Sequence, residues 1–146
     1  ATERSEIIPY SVVQIIAGIT GAFTSIYIYT EEYQIPLESM SLMSNHDVVS
    51  IILAEFLFTF ALVFVILNVA ISDKTAGNHY FGFAIASVVF AGSLTVGVVS
   101  MASFNPAVSI SLVAVGKLKL TEIILLPIGP QTLGAISATY IYKYLE

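Results

Sequence analysis

Apolar residues run in long blocks along this chain, and polar residues gather between them. Four blocks reach the roughly 20 residues that a membrane-crossing helix needs: residues 8–29, 48–72, 81–99 and 121–144. The blocks are apolar on every side rather than along one stripe, as a lipid-facing helix requires. The connections are polar. "TEEYQIPLESMSLMSNHD" is acidic and contains Pro36 and His46, and "DKTAGNHY" holds the turn formers Gly77 and Asn78. Packing faces in such spans must come from small residues, which let helix backbones approach closely in lipid. Gly18 with Ala22, and Gly134 with Ala138, have that spacing.

The third block continues beyond one span. No charged residue occurs between Lys74 and Lys117, and Phe81 to Val115 is 35 residues. As a helix that stretch is about 50 Å long, against a hydrocarbon core of about 30 Å. It is too long for one crossing and too short for two, so one crossing plus a half-length re-entrant helix fits. Asparagine is a favoured N-cap and proline a favoured first helical residue, so Asn105-Pro106 reads as a helix start. The half-helix then covers residues 106–115, with Gly116 as its stop and Lys117 and Lys119 at the surface. The preceding "SMAS" is non-helical backbone at membrane depth, tolerated only when buried in protein or lining a water-filled cavity. The positive end of the short helix points into the membrane centre. Interrupted helices of this kind mark solute sites and ion barriers. A proline kink in one long, tilted helix is the competing reading.

Composition agrees with a membrane protein. The chain is 57% hydrophobic and 10% charged, where a soluble domain is about 45–50% apolar and about 25% charged. Five cations against ten acids offer no basic patch for nucleic acid. The absence of cysteine excludes disulfides, thiolate metal sites and cysteine nucleophiles. No catalytic or metal-ligating constellation lies in the spans, so no enzyme activity, metal or cofactor is expected. His46 and His79 lie in connections and read as solvated. Glu55 stands out as an acid well inside the second span, where an unsatisfied carboxylate is costly. It must be neutralised, wetted by water, or bonded to backbone N–H groups. An amide at this position could still accept such a bond, so Glu55→Gln is expected to be tolerated. Gly97, Ser100, Ser103 and Asn105 are expected to form a face covered by another chain or by lipid.

Asn105, Pro106 and Ala107, after a small-residue turn and before Val108-Ser109, resemble the signature of the aquaporins, the major intrinsic protein family. Other blocks agree in order. "IPYSVVQIIAGITGAF" resembles the family's third helix, "AEFLFTFALVF" the fourth, and "GFAIASVVFAGSLTVGVVSMASFNPAVS" the fifth with the second re-entrant loop. "LPIGPQTLGAISATYIYKYL" resembles the sixth. The resemblance implies an all-α integral membrane fold. Here it would be a partial bundle of four transmembrane helices plus one re-entrant half-helix, in a single domain over residues 1–146. It also implies that Asn105 is a pore donor and that Glu55 orients the re-entrant loop.

The sequence departs from the family in three ways. It holds one Asn-Pro-Ala motif rather than two, and matches nothing of the first two helices. Val108 stands where the family carries a filter arginine, and valine neither donates hydrogen bonds nor repels a cation. Ser93 falls where water-selective members carry histidine. These departures lead to an expectation of a non-conducting structural or accessory subunit in a larger membrane assembly. Its partners would be membrane lipid and other membrane chains or further copies of itself. The alternative is a channel for water or small neutral solutes, formed with a second chain or a missing N-terminal part. A start at Ala1 rather than methionine is expected either where further residues lie upstream or where a targeting segment has been removed on the way to an organelle membrane.

Overall fold

The computed structural model describes residues 4–33 and 47–146. The acidic connection with Pro36 and His46 lies outside the described residues. Helix α1 covers Ile7–Tyr33 after a short 3-10 turn. Helix α2 covers Val48–Ile66 and continues through a π-helical turn, Leu67–Ile71. Helix α3 covers Phe81–Ser100, the short α4 covers Pro106–Ala114, and α5 covers Gly129–Leu145 after a second π-turn, Ile124–Ile128. There is no strand among the described residues. Four segments are long and apolar enough to cross a membrane: Arg4–Ile28, Val48–Ile71, Phe81–Ser100 and Ile124–Leu145. The fold is an all-α membrane bundle of four spanning helices with one half-length helix.

Local chemistry explains the helix ends. Asp47 caps α2, its carboxylate accepting from the Ser50 N–H at 3.0 Å. Pro127 has no N–H to give, and the ladder around it widens so that the Ile128 N–H reaches the Ile123 carbonyl at 3.0 Å. At the far end of α2, side chains from the next loop take two carbonyls. Thr75 Oγ1 donates to Asn68 O and Asn78 Nδ2 to Val69 O, each at 2.6 Å.

Helix α2 packs against both α3 and α5, and α1 packs against the half-helix α4. Small residues make these contacts. Gly134 and Ala138 of α5 are buried, and a Cβ on Gly134 would meet the α2 backbone at Phe56. A Cβ on Gly18 would meet the Ser111 hydroxyl of α4, whereas Gly21 faces open space. The apolar core is a small cluster of Ile51, Leu118, Ile123 and Leu126. Large apolar side chains point outward instead, Phe83 being 81% and Val98 78% exposed. That inversion suits a lipid solvent.

The end of α5 is tied to the α2–α3 loop. Ser72 Oγ donates to Glu146 Oε1 at 2.7 Å, and Lys74 Nζ lies 3.7 Å from the same oxygen. The Ser72 hydroxyl, with help from Tyr142 and Lys74 and against partial burial, holds the Glu146 carboxyl below its ordinary range. A carboxyl lowered in the folded state stabilises it above the unfolded pKa, and that contribution disappears as pH falls through the folded value. Acidification below the ordinary value of 4.5 therefore weakens the tie between Glu146 and the α2–α3 loop. The protection factors of the Tyr142–Glu146 amides, corrected for the intrinsic slowing of exchange in acid, should fall on acidification in the native chain, and Ser72→Ala should flatten that dependence. An unchanged pH profile in Ser72→Ala would refute the tie.

Candidate functional site

Between α3 and α4 the chain reverses in a few residues, and the backbone there is strained. Met101, Ala102 and Phe104 have φ of 65°, 48° and 47°. These values lie in the left-handed region, which costs about 1–2 kcal/mol for a residue with a Cβ. Such a turn persists only where its surroundings over-determine it.

Glu55 supplies much of that determination. Its side chain is fully buried at 0% exposure. Oε1 accepts from Ser100 Oγ (2.7 Å) and the Ser103 N–H (3.1 Å). Oε2 accepts from Ser103 Oγ (3.1 Å), the Phe104 N–H (2.9 Å) and Gln131 Nε2 (2.7 Å). One carboxylate on α2 thus joins the end of α3, the turn and α5. Gln131 Nε2 also lies 2.8 Å from Ser103 Oγ and 3.0 Å from Ser109 Oγ. Thr59, one helical turn after Glu55, donates to the Phe104 carbonyl at 3.3 Å. Among the described residues no buried side-chain polar atom lacks a partner.

This arrangement corrects one expectation. Ser100 and Ser103 do not present a face for another chain. They are 1% and 6% exposed and turn inward onto Glu55 of their own chain. Asn105 and Gly97 remain less enclosed.

The turn delivers Asn105 and Pro106 to the start of α4. Asn105 is extended (φ −151°, ψ 128°), and its Oδ1 accepts from the Ala107 N–H at 2.8 Å. The cap uses the oxygen only, leaving the Nδ2 amide for other partners. Asn105, Pro106, Ala107 and Ile110 line a cleft of about 170 Å³ with Ser11, Gln14 and Ile15 of α1. Gly18 allows that pairing, since α1 lies against Ser111 and the Ala107 carbonyl there. The cleft therefore has amides from two helices and the positive end of a nine-residue helix.

The major intrinsic protein family matches residues 2–142. The chain belongs to the major intrinsic protein family. It is similar to aquaporin NIP1-4 of Oryza sativa subsp. japonica, 38% identical over 92 residues, which is 63% of this chain and 33% of that relative. It is also similar to aquaporin NIP1-1 of the same organism, 33% identical over 106 residues, or 73% of this chain and 36% of the relative. The match spans about a third of the length of each of these relatives. No solved structure matches.

Within this family member, the remaining expected site positions are dispersed. Val108 is 41% exposed on α4, and Ser93 is exposed on α3. Neither lines the Asn105 cleft. His79 is exposed, and no group of three His, Cys, Asp or Glu side chains that could hold a metal occurs among the described residues. Sequence reading missed Gln131, Thr59 and Ser109. The available signal was a glutamine inside an apolar span, which needs a buried partner as much as Glu55 does.

Proposed function

We propose that this chain forms one Asn-Pro-Ala part of a channel-like wall and does not conduct by itself. It acts as a structural or accessory subunit of a larger membrane assembly. The observation that carries this reading is the one-sided cleft at Asn105. Among the described residues its lining comes from α1 and from Asn105 and α4, and a water-filled path through lipid needs a wall closed on all sides. Another membrane chain or a further copy of this one closes the open side. An organelle membrane suits this accessory role.

A second reading, a channel for water or small neutral solutes completed by further chain, draws on the same cleft. Asn105 Nδ2 and the Gln14 amide offer hydrogen bonds to a passing solute, and the α4 dipole disfavours cations. Val108 lies outside this lining and adds no donor. The two readings separate in proteoliposomes. The purified 146-residue chain should add no osmotic water permeability over protein-free vesicles in stopped-flow light scattering. Fast shrinkage that Asn105→Leu abolishes would overturn the accessory reading and establish the channel.

A further inference from the structure

Phe104, the residue just before Asn105, is gripped from three directions. Its N–H donates to Glu55 Oε2 at 2.9 Å, and its carbonyl accepts from Thr59 at 3.3 Å. Its side chain is 2% exposed. The ring stacks on Phe58, with centroids 5.2 Å apart and planes 23° apart. Beneath it lies Gly92, in the middle of α3. A Cβ on Gly92 would stand 2.5 and 2.8 Å from atoms of the Phe104 ring and 2.8 Å from the Phe58 ring. No real side chain tolerates such contacts, so Gly92 leaves a notch that the Phe104 ring fills. Gly97, on the same helix, has nothing within 4 Å of its Cβ position. Glycine is disfavoured inside a helix relative to alanine, and at Gly92 the notch accounts for its presence.

The backbone of Phe104 is left-handed at φ 47°, and the two hydrogen bonds hold its peptide groups. The ring in its notch is the third anchor, and it fixes the direction in which the chain leaves the turn. The next side chain is Asn105. The geometry points to Phe104 as the residue that aims Asn105 into its cleft, with Gly92 as the seat that receives the ring. This assignment rests on the reading of the Asn105 cleft as the working surface, but its test does not involve conduction.

The full chain is labelled with ¹⁵N-asparagine and placed in lipid nanodiscs, and the side-chain amide resonances are recorded. Asn105→Asp assigns the Asn105 pair. Gly92→Ala should shift or double that pair while leaving those of Asn68 and Asn78 in place. Phe104→Leu in the Gly92→Ala background should return it toward its native position, because the smaller side chain leaves room for the new methyl. Phe104→Ala alone should split it, and Gly97→Ala should leave it unmoved. An unmoved Asn105 pair in Gly92→Ala or Phe104→Ala overturns the assignment. If Gly92→Ala does not fold, Phe104→Ala decides alone. If neither folds, the ring holds the bundle rather than the turn, and the assignment is also overturned. A conducting chain in the vesicle assay would refute the accessory reading and leave these shifts unaffected.

Discussion

Replacing Glu55 with leucine should destabilise the chain by about 2–6 kcal/mol, and replacing it with glutamine by about 1–3 kcal/mol, at one to three per buried donor left unpaired. The difference follows from which donors can adapt. Ser100 and Ser103 hydroxyls can rotate and accept instead of donating. The Ser103 N–H on Oε1 and the Phe104 N–H on Oε2 cannot. Leucine strands both. Glutamine has one oxygen, so its NH₂ group must face one of the two backbone donors. The sequence suggested that an amide would serve as well, because it treated the acid as a single acceptor. The structure uses both oxygens, each against a fixed N–H. Detergent unfolding by SDS, followed by circular dichroism, should rank native above Glu55→Gln and Glu55→Gln above Glu55→Leu. Native stability in Glu55→Leu would mean that the turn does not depend on this contact.

The half-helix was legible because its signals are local. An asparagine cap and a proline at the first helical position act on neighbouring peptide groups, whatever the rest of the fold does. The spans were legible for a similar reason, since length and apolarity are properties of one segment. Pairing between spans was not. A helix that is apolar on all sides carries no stripe to say which face meets which neighbour. Glycines reveal close approach in general but not the partner. Gly134 lies against α2, Gly18 against the half-helix, and Gly21 against open space. The same limit hid Gln131. Its partner, Glu55, lies 76 positions earlier in the chain, and no spacing rule links them. Ser100 and Ser103 were misplaced because a polar residue at membrane depth reads equally well as facing a partner chain or as satisfying a buried acid.

Gly134→Ala should be among the most damaging single-methyl additions available in this chain. The new Cβ would stand 2.5 Å from the Phe56 carbonyl oxygen, 3.0 Å from the Phe60 nitrogen and 3.4 Å from the Phe56 carbonyl carbon. All are backbone atoms of α2 and cannot rotate aside, so α2 and α5 must separate. Overpacking of this kind costs about 1–3 kcal/mol. The separation also strains the 2.7 Å bond between Gln131 on α5 and Glu55 on α2, linking a packing defect to the turn that carries Asn105. Gly18→Ala meets a softer obstacle. The Ser111 hydroxyl can swing away, giving up its 2.7 Å bond to the Ala107 carbonyl at about 1 kcal/mol. Gly97→Ala meets nothing and should be neutral or gain up to about 1 kcal/mol of helix propensity. The expected stability order is Gly97→Ala, then Gly18→Ala, then Gly134→Ala, measured by SDS unfolding. A Gly134→Ala variant as stable as Gly97→Ala would show that α2 and α5 do not approach this closely, and would remove the frame on which the Glu55–Gln131 contact depends.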